Sequence, residues 1–169
     1  WNNMQDRRQI FHDLIAAIRI SFVITTVFCF VCRPWTEGMR YLGSYYRPGM
    51  YGMYLLFVCI ALLRCVDREL SRDGWSWRLF LSMTGFALAG FLLWKTQSSS
   101  GIIPVFAACV IWLFYRLVLL KGCAKRKKTL AAIALMIVIA VPVSCAGTWG
   151  LLHLPHILGT EIKIKSDAD

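Results

Sequence analysis

From Thr129 to Thr160 the chain contains no Asp, Glu, Lys or Arg. About 20 apolar residues in a helix suffice to cross the hydrocarbon of a bilayer, and this run is longer than that. The basic residues Lys121, Lys125, Arg126, Lys127 and Lys128 precede it, and a cluster of that kind beside an apolar run marks a cytoplasmic end. The run therefore predicts a membrane protein. Composition points the same way: 58% of the 169 residues are hydrophobic and only 17% charged, against roughly 25% charged in a soluble domain. Little length remains for a soluble domain.

Four further apolar segments stand out. They cover Leu14 to Cys32, Met50 to Val66, Leu79 to Trp94 and Gly101 to Leu120, with the fifth running from Thr129 to about Leu152. All are continuous rather than alternating at every second residue, which excludes a lipid-facing barrel strand and leaves helices. The expected fold is an all-α, polytopic transmembrane bundle of five spans forming one domain, with residues 153–169 as a short outer tail. Four spans is the alternative, because the third segment is short enough to be re-entrant or to need snorkelling flanks. The first segment ends in Cys32-Arg33-Pro34-Trp35, a poor signal-peptidase site, so it is expected to stay as a helix. Pro155 is expected to end or kink the fifth.

With five spans and the N-terminus inside, thirteen of the 19 Lys and Arg lie on the inner side and six on the outer. The positive-inside rule then favours a cytoplasmic N-terminus and an outer C-terminus, in a bacterial inner membrane. The net charge of +10 reflects this bias. The basic residues are spread over the membrane rims rather than gathered on one face, so nucleic acid is not an expected partner. Lys125, Arg126, Lys127 and Lys128 are expected to sit on anionic lipid headgroups. Trp35, Tyr41, Tyr45, Tyr46, Tyr51 and Tyr54 crowd the first outer loop and the start of the second segment. Trp75, Trp77, Trp94 and Trp149 mark other ends. An interfacial aromatic belt explains them all, with a ligand-lining cluster between Tyr41 and Tyr54 as the alternative.

Few residues offer chemistry. Cys29 and Cys32 form a C-x-x-C at the outer end of the first segment, a spacing used in thiol exchange because one thiolate attacks and the other resolves. In outline this resembles small four-helix membrane thiol oxidases and quinone-linked reductases. Those families, however, carry a second cysteine pair in an outer loop, and none occurs here. Seven scattered cysteines otherwise read as small buried hydrophobes. His153 and His156 are spaced to share one helical face and make an incomplete metal set, even if Glu161 or Asp167 adds an oxygen. Arg19, Arg64 and Arg116 lie within about two turns of inner ends, where they are expected to snorkel, with a pairing of Arg64 or Arg19 with Asp13 or Asp67 as the alternative.

Gly85 with Ala89, and Ala146 with Gly150, are small-xxx-small pairs suited to close helix packing. No phosphate-binding loop, H-E-x-x-H or G-x-S-x-G is present, and no cofactor is expected. These features predict a non-catalytic membrane subunit — accessory, scaffold or sensor — of a larger assembly or homo-oligomer. The alternatives are a thiol-disulfide or quinone-linked oxidoreductase using Cys29 and Cys32, a small channel or permease, and the membrane anchor of an envelope enzyme.

Overall fold

In the computed structural model, residues 2–36, 39–45, 47–71, 75–119 and 123–160 are described, with residues 2–6, 8, 119 and 123–125 described as backbone only. The expectations for Tyr46, Lys121, Glu161 and Asp167, and for the Lys125 side chain, fall outside these residues. All regular structure among the described residues is helical. The elements are α1 (Asn2–Cys32), α2 (Pro48–Leu70), α3 (Trp77–Thr96), α4 (Ser99–Phe114) with a π-helical turn at Tyr115–Leu119, and α5 (Cys123–Leu158). Five helical stretches are long and apolar enough to cross a membrane.

The helices outrun their apolar segments because good helix formers flank them. Pro48, with its fixed φ and missing N–H, opens α2. Ser76 opens α3 by accepting the Leu79 N–H on its Oγ at 3.2 Å. That start, with Lys95 and Thr96 at the other end, gives the short third segment a helix of 20 residues. α5 spans 36 residues, or roughly 54 Å at 1.5 Å per residue.

α5 does not end at Pro155, the first of the two outcomes expected there, but continues to Leu158. Proline has no N–H, so the Leu151 carbonyl one turn earlier loses its partner within the helix. The Trp35 N–H replaces it at 3.1 Å. The carbonyl freed by proline thus ties the loop after α1 to α5. Thr160 adds a second tie, its hydroxyl donating to the Val31 carbonyl at 2.6 Å.

The helices alternate in direction, and contacts define two ends of the bundle. At the tyrosine end, the C-termini of α1, α3 and α5 meet the N-termini of α2 and α4. The basic end carries Arg64, Asp67, Arg78 and Arg116. α2 is the axis: 56% of its most apolar window is buried, against 11% for both α1 and α4. Two apolar cores lie along it. The one at the tyrosine end joins α1, α2, α3 and α5 through Cys29, Tyr51, Leu55, Leu92 and Leu151. The one at the basic end joins α2, α3 and α5 through Val66, Leu79, Met83 and Ala132, with Trp112 of α4 packed against it. α1 contributes to the first core and not to the second.

Close approaches depend on glycine at a few positions. A Cβ at Gly101 would lie 2.7 Å from the Gly52 carbonyl oxygen, so α4 and α2 nearly touch backbone to backbone. On α5, Gly150 receives Phe30, and Gly147 receives Phe91 at 2.6 Å from its would-be Cβ. Ala146 is exposed, while Gly147 is buried, so the small face of α5 sits one residue further along than the Ala146–Gly150 pair suggests. On α3, Ala89 is fully buried, whereas a Cβ at Gly85 would make ordinary contact with Leu62 at 3.5 Å.

Candidate functional sites at the two ends of the bundle

The polar groups of the tyrosine end are arranged by the loop after α1. Arg33 leaves the helix and turns inward, 7% exposed, where its Nε donates to the Gly43 carbonyl at 2.8 Å. Gly43 has a φ of +59° and a would-be Cβ 2.4 Å from the Tyr51 ring. Only glycine combines that backbone with that contact. The turn sets Tyr41 into the core: its N–H donates to the Lys95 carbonyl at 3.0 Å and its hydroxyl to the Cys29 carbonyl at 3.3 Å.

Four tyrosines then form one cluster. Tyr41 meets Tyr51 edge-on at 5.9 Å between centroids. Tyr45 lies 5.8 Å from Tyr51 and 5.7 Å from Tyr54, and Tyr51 and Tyr54 are near parallel at 6.2 Å. The Tyr54 hydroxyl lies 3.2 Å from Ser21 Oγ and donates to Thr25 Oγ1 at 3.4 Å. Tyr41 and Tyr51 are therefore core residues and do not belong to an interfacial belt. Trp75, Trp77, Trp94 and Trp149 are exposed, as belt residues are. Lys95 closes the end, its Nζ 3.7 Å from the centroid of the Trp35 ring.

Cys29 sits beneath this cluster with no exposed surface, sharing a 3.6 Å hydrogen bond with the Tyr51 hydroxyl. Cys32 is half-buried one turn on, and both thiols are free. They lie in the last turns of α1, at the negative end of its dipole, whereas reactive thiolates gain from a helix N-terminus. Burial raises the Tyr41 hydroxyl far above its ordinary range, helped by Cys29 beside it and opposed by Arg33. Tyr45 is raised as well, by burial first and by Tyr54 and Cys29 second. This environment favours the neutral phenols of Tyr41 and Tyr45.

The basic end is built on one carboxylate. Asp67 Oδ1 accepts from Arg116 Nε at 2.7 Å and from Trp112 Nε1 at 2.8 Å. Its Oδ2 faces Arg64 at 3.2 Å. Arg116 Nη2 also donates to the Asp67 carbonyl and, at 2.7 Å, to Ser71 Oγ. Arg116 is 3% exposed, so it does not snorkel as expected but locks α4 to α2. The π-helical turn at Tyr115–Leu119 carries Arg116 at the point where the lock forms, and such turns recur at sites where a side chain must be re-aimed. Arg64 does reach solvent, with its side chain 65% exposed, and Arg19 is exposed.

His153 is exposed and packs on Trp149 at 5.5 Å between centroids; His156 is exposed as well. Among the described residues no three His, Cys, Asp or Glu side chains come together as a metal site. Arg126 and Lys127 are exposed at the start of α5, and Lys128 is half-buried there.

Sequence reasoning named Asp67 and Arg116 but not their pairing. The Arg33–Gly43 and Tyr51–Cys29 contacts escaped it too, since nothing in the sequence says which loop folds under which helix. Comparison with family models, with curated proteins and with solved structures finds no match for this chain.

Proposed function

We propose that this chain is a non-catalytic integral membrane protein acting as a subunit of a larger membrane assembly, in an accessory, scaffold or sensor role. One observation carries the reading: burial is concentrated in α2, at 56%, while α1 and α4 keep only 11% of their apolar windows inside the bundle. α1, α4 and α5, the last at 17%, thus each leave most residues of their apolar windows at least partly exposed. On α4, Ile103, Phe106, Val110 and Phe114 form a stripe at helical spacing, all exposed. Another membrane subunit can cover such a face through complementary helix packing.

The polar clusters favour the same reading. The Tyr41–Tyr51–Cys29 cluster and the Asp67–Arg116–Trp112 lock spend their donors and acceptors on contacts between helices. Cys29 is sealed from any thiol partner, and Arg116 is held by a carboxylate rather than lining an open path. The asymmetry of Lys and Arg favours the basic end at the cytoplasmic face of a bacterial inner membrane, with the N-terminus inside and the C-terminus outside.

The test is native mass spectrometry of the chain extracted gently from its own membrane. A stoichiometric membrane partner or a discrete homo-oligomer is the expected result. A lone monomer that turns over a substrate overturns the reading.

A further inference from the structure

α1 packs on α2 and α5 at the tyrosine end, then leaves the bundle. Towards the basic end α1 and α3 scarcely touch, and a cleft of about 590 Å³ opens between them. Leu62 of α2, 4% exposed, lies at its floor with Gly85 of α3 beside it. Val23 and Val27 of α1 face Leu81 and Leu88 of α3 across it. The lining is almost wholly apolar, with two exceptions. Arg19 is the one charged residue in it, and among the described residues no carboxylate reaches it. Thr26, also in the lining, has a hydroxyl oxygen shut off from solvent with no hydrogen-bond partner.

Position decides what such a cleft accepts. Arg19 shares the cleft with Leu81, one turn from Arg78 at the start of α3, so its guanidinium lies close to the basic rim. The rest of the cleft runs from there towards the tyrosine end. An occupant therefore needs an anionic group at the basic end and an apolar chain above it.

Size excludes a helix from another protein as the occupant. A helix about 10 Å across would fill 590 Å³ with roughly one and a half turns. A single extended chain fits, and the volume lies in the range of roughly 300–1,000 Å³ usual for small-molecule sites.

We propose that the cleft between α1 and α3 is a binding site for one anionic phospholipid, its acyl chain against Val23 and Val27 and its headgroup phosphate on Arg19. The inference rests on the chain being embedded in a bilayer, not on its being a subunit. A partner-free monomer that retains the lipid would support it while counting against the subunit reading.

The experiment is native mass spectrometry of the purified full chain with phosphatidylglycerol and phosphatidylcholine of identical acyl chains. The wild type is expected to retain one phosphatidylglycerol over phosphatidylcholine by roughly fivefold, the preference that one basic residue near an anionic headgroup confers. Arg19→Gln should equalise the two lipids and Arg19→Lys should preserve the preference. Arg19 is exposed, so neither change disturbs the core. Val23→Trp, at a residue 61% exposed, fills the cleft and should reduce retention of both lipids.

Equal retention by the wild type overturns the proposal, as does a preference that survives Arg19→Gln. A membrane protein cross-linking stoichiometrically to a photoreactive residue at position 23 also overturns it.

Discussion

At the tyrosine end, α1, α2, α3 and α5 meet over phenols, a thiol and main-chain carbonyls. At the basic end, α4 is fastened to α2 by one carboxylate between two guanidiniums. The first arrangement spreads its stabilisation over many weak contacts, most of them neutral, each worth about 1 kcal/mol or less. The second concentrates it in Asp67, whose loss strands a buried cation. A bundle held in both ways is tolerant at one end and brittle at the other. The tyrosine end gathers four helices. The basic end leaves α1 free, and the open cleft beside Arg19 is the result.

The sharpest way to break this contrast is to neutralise the carboxylate. Asp67→Asn leaves Arg116, 3% exposed, without its counter-charge, and should cost about 3–5 kcal/mol, read as loss of melting temperature in detergent. Asp67→Leu combined with Arg116→Met should recover most of it, because the pair removed together leaves no orphaned charge. If Asp67→Asn costs no more than a tyrosine hydroxyl, the basic end is not brittle.

Next in size is Gly101→Val. Its side chain would drive into the Gly52 carbonyl and Leu93, each 2.7 Å from the Cβ position, and should cost about 1–3 kcal/mol through overpacking. Unchanged melting would show that the α2–α4 approach is looser than the backbone contact implies.

Alkaline pH separates the two ends without a mutation. Tyr41 is raised from an ordinary value of 10.0 by its burial, so the folded chain holds it neutral while the unfolded chain ionises it. Above pH 10 the unfolded state therefore binds fewer protons, and stability falls as pH rises, by at most about 1.4 kcal/mol per pH unit for each tyrosine so held. Below pH 10 this contribution is fully present. Tyrosinate absorbance of the Tyr41 ring should appear only together with unfolding. Early titration in a still-folded chain would show an open cluster.

The smallest effect is expected from Tyr54→Phe, which removes the hydroxyl shared with Ser21 and Thr25 at 3.2 and 3.4 Å and should cost about 0.6 kcal/mol.

The five helices were legible because apolar runs separated by charged and aromatic rims are a strong one-dimensional signal. Their ends were not, since Asn2 to Asp13 and Cys123 to Lys128 continue a helix without being apolar. The networks at the two ends depend on which helices are neighbours. Asp67 and Arg116 lie 49 residues apart, and nothing local marks them as a pair. The small face of α5 was misplaced by one residue, Ala146 for Gly147, because a single position rotates a helix by about 100°. Spacing of small residues alone does not fix that phase. Pro155 was legible as an irregularity but not as an opportunity: a freed carbonyl has meaning only once Trp35 is seen beside it.

The π-helical turn at Tyr115–Leu119 couples the length of the chain at that point to the ion pair it carries. A π-turn holds one more residue than the α-helical turn it replaces, so deleting a residue there lets the backbone relax into an ordinary helix. The same deletion in the middle of α2 would swing half the helix by about 100° and turn its core face outward. Relaxation would also carry Arg116 round the helix and away from Asp67. The turn thus behaves as a stored insertion, and the ion pair is the catch that keeps it from closing.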